Sequence, residues 1–422
     1  EEGFPPEPLN YQNPSIRGQW HCLMTQDDRA IDWQQDSTQA VLRKIRAADG
    51  VPGLKDAING REYFLYNGHA EALLNSDGSA SAGELIAQRD GAVCRATVDG
   101  AVWITHLRPA QPQAGEFGFK LPALQVLGEY GQALAESSLA PETVPEGDSW
   151  QQIRYREQSE IGYLAFDFYN GAMSTEQCLR LRDAVEAAKL RPIRVLVLLG
   201  GEDFWSNGIH LNQIEAAESA ADESWANINA MNDLCLALIE TPNQYVIAAM
   251  QGNAGAGGVF MALAADRVVA REGVILNPHY KSMGNLYGSE YWTYLLPKRV
   301  GAERAEQLTQ NRLPISTRQA CQQGLIDGCW SGERAGFVAE IQMMAQALIE
   351  AGSIETLLAA KCTKRQQNEA EKPLQRYRDE ELERMKLNFY GFDPSYHVAR
   401  YHFVEKLPKA RTPSFLAHHR RS

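Results

Sequence analysis

The chain has 422 residues, which is too long for one compact core and points to roughly two or three domains. With 44% hydrophobic and 22% charged residues it has an ordinary globular composition, and no stretch approaches the roughly 20 uninterrupted apolar residues of a membrane helix. A formal net charge of −12, from 53 acidic and 41 basic residues, argues against a nucleic-acid partner. Seven scattered cysteines with no CxxC pair argue against a disulfide framework or a zinc knuckle. They suit a reducing cytoplasm, and no metal site is expected. No apolar signal stretch opens the chain. It starts at Glu1 and not at Met, as a fragment or trimmed product would.

Residues 1–20 are rich in Pro, Asn and Glu and read as a linker. Ser37 to Asp49 has helical spacing, with Val41, Leu42 and Ile45 on one face and Ser37 or Thr38 as the cap. From about 60 to 110 come short β-rich runs: 62–66, 83–88, 92–97 and 101–107. The dipeptides Asp90-Gly91 and Asp99-Gly100 suit hairpin turns. A small antiparallel barrel over 21–112 is predicted, then a Pro-, Gly- and Glu-rich connection over 113–149. Beyond 150 the pattern becomes α/β. Strands are expected at 161–167, 193–199, 245–250 and 266–270, and an amphipathic helix over 174–189. That domain is placed at 150–345. Residues 346–422 form a helical, charged extension that ends aromatic and basic.

Two Gly-containing turns follow apolar strands. The first is Gly200-Gly-Glu-Asp-Phe-Trp-Ser-Asn-Gly-Ile-His-Leu-Asn212, and the second is Gln251-Gly-Asn-Ala-Gly-Ala-Gly-Gly258, which runs into an apolar helix. Glycine lets a ligand approach the backbone closely, and amides at a helix start are unpaired and positively polarised. Two such amides aimed at one point form an oxyanion hole. Either turn alone is weak evidence, and tight helix–sheet packing, which also needs small residues, explains it better. A third segment, Asn277 to Tyr294, is dense in His279, Tyr280, Lys281, Tyr287, Glu290 and Tyr291. Tyr280 and Glu290 stand out as a pair. A core tyrosine and a helix-start charge remain the plain alternatives for them. His279 reads as a supporting hydrogen-bonding residue, and Trp205, Trp225 and Phe260 as pocket walls.

These turns resemble the crotonase (enoyl-CoA hydratase) superfamily over about 150–345. Phe204-Trp-Ser-Asn-Gly-Ile-His-Leu211 is similar to its F-S-x-G-x-D-L pattern, and Met250 to Gly258 to its V-x-G-x-A-x-G-G-G pattern, with Ala265-Asp266-Arg267 following. The resemblance implies an α/β crotonase fold, a ββα superhelix. It implies coenzyme A as cofactor or substrate, and an oxyanion hole from the amides of Ile209 and Gly257. It also implies that Ser206, Asn207 and Gly208 line the adenine pocket. The hydratase glutamates are missing: Phe260 stands at one position, and Asn277-Pro-His-Tyr-Lys281 spans the other. Without those carboxylates water addition loses its acid and base.

The front of the chain resembles the C-terminal domain of formyltetrahydrofolate-dependent formyltransferases, through Ala30-Ile-Asp-Trp33, Val41 to Arg46, Pro52-Gly53 and Ser81 to Gly100. The two pieces in this order, with Trp225 to Met231, Asn277 to Tyr294 and Phe389 to Arg400, resemble the HypX/HoxX family of hydrogenase maturation factors. The resemblance implies that formyl passes from formyltetrahydrofolate to coenzyme A, and that formyl-CoA is split to carbon monoxide and CoA for the iron of nickel–iron hydrogenase. It places a tyrosine and a glutamate of the splitting site at Tyr280 and Glu290. A folate-binding N-terminal domain with an Asn-His-Asp set is also implied. No such set can be assigned in residues 1–150, so a tetrahydrofolate derivative is expected only through a domain absent from this chain. Hydrogenase maturation proteins are the implied partners, and the expected state is a monomer. An acyl-CoA hydratase, isomerase or hydrolase acting on another acyl group, and a catalytically silent CoA-binding module, remain the other readings.

Overall fold

The computed structural model describes residues 8, 10–15, 17–75 and 78–408. Residues 1–7, 9 and 16 of the expected linker, and the aromatic and basic end from 409 to 422, lie outside the described residues.

Helix α1 (Thr38–Ala47) is capped by the Ser37 hydroxyl, which accepts the Ala40 amide, and buries Val41, Leu42 and Ile45. This apolar stripe packs on an antiparallel sheet of β1 (Leu54–Ile58), β2 (Arg61–Glu71), β3 (Leu85–Arg89), β4 (Ala92–Thr97) and β5 (Gly100–Pro109), ordered β1-β2-β5-β4-β3. Asp90 and Gly91, with φ of 50° and 81°, turn β3 into β4 as their types require. The next hairpin closes one residue earlier than expected, on Val98 and Asp99, because Thr97 pairs with Gly100. The Asp99 carboxylate there accepts the Thr38 amide at 2.7 Å and ties α1 to the sheet.

Strand β6 (Leu121–Pro122) pairs with β5, and α2 (Ala123–Leu127) and α3 (Glu129–Gln132) follow. Ala123 and Leu127 bury in the same core as Val41 and Leu42. The first part of the expected connection at 113–149 therefore belongs to this domain, since its apolar side chains complete a core that five strands and α1 leave open.

The second domain contains β7 (Ile153–Gln158), β8 (Ile161–Phe166), β9 (Ala172–Met173), α4 (Thr175–Lys189), β10 (Val195–Leu199), β11 (Phe204–Ser206) and β12 (Gly208–Ile209). Next come α5 (Leu211–Ala216), α6 (Ala220–Ile239), β13 (Tyr245–Met250), β14 (Asn253–Gly255), α7 (Gly257–Leu263), β15 (Arg267–Arg271) and β16 (Ile275–Asn277). They are followed by α8 (Trp292–Val300), α9 (Ala302–Asn311), β17 (Ile315–Ser316), α10 (Thr317–Gln322) and β18 (Gly328–Trp330). Four helices close the described chain: α11 (Arg334–Glu350), α12 (Ile354–Glu371), α13 (Leu374–Tyr390) and α14 (Ser395–Val404).

The main sheet runs β18-β15-β13-β10-β8-β7, parallel except for β7. Its apolar runs are continuous because both faces are covered. Leu196, Leu198, Val246 and Ala248 point into one core, with α4, α6 and α7. Val195, Val197, Ile247 and Ala249 point into the other, against Phe337, Ile341 and Ala345 of α11. A smaller sheet, β11-β14-β16-β17, stands beyond the strand ends and carries the Gly-containing turns.

Ser174 makes a full capping box with Gln177 at the start of α4. Ser174→Ala is expected to cost about 1 kcal/mol, read as a lower midpoint in urea denaturation.

The helical extension is not separate from the domain before it. Leu374, Met385, Phe389 and Tyr396 lie in the core that covers the sheet's inner face. Phe119 and Leu121 of the first domain meet Val404 of α14 and Leu211 of α5. The Tyr169 hydroxyl donates to Asp49 at 2.7 Å across the same seam. Among the described residues no helix is long and apolar enough to cross a membrane. Nor do three or more His, Cys, Asp or Glu side chains among them gather as they would around a metal ion.

Candidate active site

Strands β10 and β13 lead at their carboxyl ends into the two Gly-containing turns, and the turns converge. A Cβ built on Gly208 would stand 3.4 Å from the Gly257 nitrogen. Gly208 needs glycine for its φ of +82°. Gly257 opens α7 behind Ala256, a non-glycine residue at φ 47°. Amides in a first helical turn have no acceptor within their own helix. Ile209 and Gly257 line one cavity of about 850 Å³, together with Asn207, Gly208, Tyr280 and Glu290.

The Tyr280 hydroxyl donates to Glu290 Oε2 at 2.5 Å, and the Ser289 amide donates to the same oxygen at 3.1 Å. The other carboxyl oxygen stands over Gly257, since a Cβ there would lie 2.2 Å from Glu290 Oε1. Glycine at 288 is what admits the Tyr280 ring, because a Cβ at that position would fall 2.0 Å from it. Burial pushes the Glu290 carboxyl up to about 7, against the pull of its two hydrogen bonds. Burial, then the neighbouring Glu290, pushes the Tyr280 hydroxyl well above its ordinary range. The pair is therefore a carboxyl that titrates near neutrality and a phenol that keeps its proton.

Glu290 does not serve as a charge at the start of a helix, the plain alternative left open for it. Glu290 and Tyr291 are consecutive left-handed residues, at φ 61° and 58°, just before α8. Each such residue costs about 1–2 kcal/mol, so the turn needs support. Glu381, from α13, supplies it. Its carboxylate accepts the Tyr291 amide at 3.0 Å, the Thr293 amide at 2.9 Å and the Thr293 hydroxyl at 2.5 Å. Asn232, from α6, accepts the Glu290 amide at 2.7 Å and the Ser289 hydroxyl at 2.9 Å.

Several expected residues sit differently. Ser206 does not line the cavity: it is fully buried, and its hydroxyl accepts the Gly208 amide at 3.1 Å. Phe260 is not a cavity wall either. It stacks behind Tyr280, ring centres 5.4 Å apart. Trp205 is a buried prop whose indole donates to the Gly258 carbonyl, and Trp225 packs on Tyr390; neither lines the cavity. Asn207, Gly208 and His279 do line it, and burial holds the His279 imidazole below its ordinary range.

Glu381 and Asn232 escaped notice in the sequence because each lies in an unremarkable helical run. Helical spacing could have placed Glu381, which shares a face with Leu374, Met385 and Phe389, all buried. The first domain adds Tyr66, His106, Arg108 and Lys120 to the cavity wall, and Lys406 follows α14.

Residues 166–411 match the family described as enoyl-CoA hydratase/isomerase, and residues 23–116 match the formyl transferase C-terminal domain. An enoyl-CoA hydratase from Bacillus halodurans shares the fold, with a TM-score of 0.53 at 19% identity over 60% of this chain and 99% of that one. The class is thereby defined: a crotonase-fold domain behind a small antiparallel formyl transferase-type domain. The hydrogenase maturation factor HoxX of Bradyrhizobium diazoefficiens is 54% identical over 415 residues, 98% of this chain and 70% of the relative. HypX from Aquifex aeolicus, solved in complex with tetrahydrofolic acid, superimposes with a TM-score of 0.91 at 48% identity, over 96% of this chain and 70% of that one. The chain belongs to the HypX/HoxX family of hydrogenase maturation factors.

Proposed function

We propose that the crotonase-fold domain converts formyl-CoA to carbon monoxide and CoA, supplying a carbon monoxide ligand for hydrogenase maturation. The observation that carries this reading is the position of Glu290. A buried carboxyl titrating near 7 sits over Gly257, beside the converging turns, with no second carboxyl at the Phe260 position to complete a hydratase pair.

The formyl oxygen would rest between the amides of Ile209 and Gly257, where each donor contributes on the order of 3 kcal/mol to a developing oxyanion. The Glu290 carboxylate removes the formyl hydrogen as a proton. The C–S bond then breaks with its electron pair going to sulfur, and carbon monoxide leaves carrying the former C–H pair. The thiolate takes a proton, through Tyr280 or back from Glu290, so no oxidant or reductant enters. Tyr280 suits this because it holds a proton and touches the base. Phe260 suits it because an aromatic ring packed behind Tyr280 leaves the catalytic end closed to a long acyl chain. Arg108, Lys120 and Lys406 on the cavity wall match the phosphates of CoA. The formyl group itself is proposed to arrive from a tetrahydrofolate derivative handled outside the two domains described here.

Purified protein given formyl-CoA should release carbon monoxide, trapped on haemoglobin, and Glu290→Gln should lower the rate by roughly 100- to 10,000-fold. Undiminished release in that variant would remove Glu290 from the reaction. Free CoA without carbon monoxide would indicate a hydrolase, and CoA binding without turnover a silent binding module.

A further inference from the structure

We propose that Glu381 is a positioning residue for Glu290: a second buried carboxylate that locks the left-handed Ser289–Tyr291 turn and so aims the Glu290 side chain over Gly257. This rests on the reading of Glu290 as the base. It adds a role for α13, a helix that lies beyond the two Gly-containing turns and contributes no group to the reaction.

The geometry is specific. Glu381 has no exposed surface. Its carboxylate caps the start of α8 through Tyr291 and Thr293, and Ser289 Oγ lies 3.3 Å from its Oε2. Tyr291 precedes α8 with φ 58° and brings no capping side chain of its own. Glu381 does the capping from another helix. The Tyr291 and Thr293 amides and the Thr293 hydroxyl donate to it, and a helix amino end favours an anion, but burial outweighs them and raises the carboxyl to about 8. The same contacts leave only Ser289 between Glu381 and Glu290.

Burying a carboxylate is costly unless several donors meet it, and an interior that only needed capping could use a neutral serine or asparagine. One carboxyl here meets three donors of the turn at once. The titratable groups facing Glu290 are Tyr280 from the loop after β16, Cys178 from α4, Cys235 from α6 and Glu381 from α13. Arg378, one turn before Glu381, is paired with Asp233 at 2.6 Å. Glu381 is the other carboxyl among them, and burial raises it to about 8, so near pH 7 it acts on Glu290 by holding the turn that keeps it buried; a loosened turn would admit water and lower the Glu290 midpoint.

The test compares wild type, Glu381→Gln and the milder Thr293→Val. Carbon monoxide release is measured from pH 5.5 to 9, and the infrared band of the buried Glu290 carboxyl, assigned by its loss in Glu290→Gln, is titrated in parallel. In Glu381→Gln the expected results are a kcat lower by roughly 10- to 100-fold, as for residues that orient catalytic ones, with KM within about twofold. The acidic limb of the rate profile and the infrared midpoint should both move to lower pH. Thr293→Val should shift both in the same direction by less. A folded Glu381→Gln protein with wild-type kcat, or with a reduced kcat but an unmoved midpoint, overturns the proposal. If Glu381→Gln does not fold, wild-type values in Thr293→Val overturn it and shifted ones support it. If the wild type releases no carbon monoxide, the functional reading falls on its own. The infrared midpoint then decides Glu381: lowered in the variant supports positioning, and unmoved overturns it.

Discussion

Glu290→Gln is expected to make the protein more stable above neutral pH while removing its activity. The Glu290 carboxyl is raised by burial from 4.5 to about 7 in the folded chain. A group raised on folding binds its proton more tightly in the native state. Its stabilising contribution is complete below the unfolded value and is lost as pH climbs through the folded one. Wild type should therefore lose stability between pH 4.5 and about 7, with about 3 kcal/mol at stake from a shift of this size. Glutamine has no proton to lose, and its amide oxygen can still accept from Tyr280. Urea midpoints at pH 5 and pH 8 read the effect: the variant should gain at pH 8 and little at pH 5. Glu381, raised to about 8 by burial and in part by Glu290, adds a slope of its own that is steeper in wild type, which widens the difference in the same direction. Parallel pH dependence in the two proteins would show that Glu290 is not the perturbed group. The cost of keeping an ionisable carboxyl in this core is the reason for expecting it to serve the reaction.

Gly258→Ala is expected to break the site by breaking the packing. A Cβ at 258 would fall 2.1 Å from the Ser206 carbonyl oxygen and 2.6 Å from its carbon. Those are backbone atoms of β11, held in place by pairing with β14, and they cannot turn aside as a side chain could. Overpacking of this kind costs typically 1–3 kcal/mol. Relief would push β11 and the Ile209 turn away from α7, so carbon monoxide release should fall together with the melting temperature. Gly257→Ala should behave differently. Its Cβ meets the Glu290 carboxyl, at 2.2 Å from Oε1, a movable side-chain end. Activity should be lost there with a smaller loss of stability. Gly336→Ala is the control: nothing lies within 4 Å of its Cβ, it sits in α11, and the change should add about 0.5–1 kcal/mol. Equal losses of stability in the 257 and 258 variants would contradict the packing account.

Much of the architecture could be read directly from the residues because it depends on local pattern. Continuous apolar runs at Val195–Leu199 and Tyr245–Met250 mark strands buried on both faces. Ser174 with Gln177 marks a helix start. Two Gly-containing turns after such strands mark a place where backbone amides can meet a ligand, and Tyr280 and Glu290 are picked out by chemistry alone. Other features have no local pattern. The burial of Ser206 and the stacking of Phe260 behind Tyr280 depend on what packs across from them, and that comes from distant segments. The same holds for Ala123 and Leu127, which look like a loose connection until the open side of the first core is seen.

The sequence by itself determined which groups are present: a paired tyrosine and glutamate, two turns of exposed amides, and no hydratase carboxylates. Only the tertiary structure decided how those groups act. It buries Glu290 deeply enough to titrate near neutrality, gives one of its oxygens to Tyr280 and lays the other over Gly257. It brings Glu381 across from α13 to hold that turn. Desolvation and left-handed backbone are properties of a place in the folded chain, not of a residue type, and the place exists only once helices far apart in sequence have packed around it.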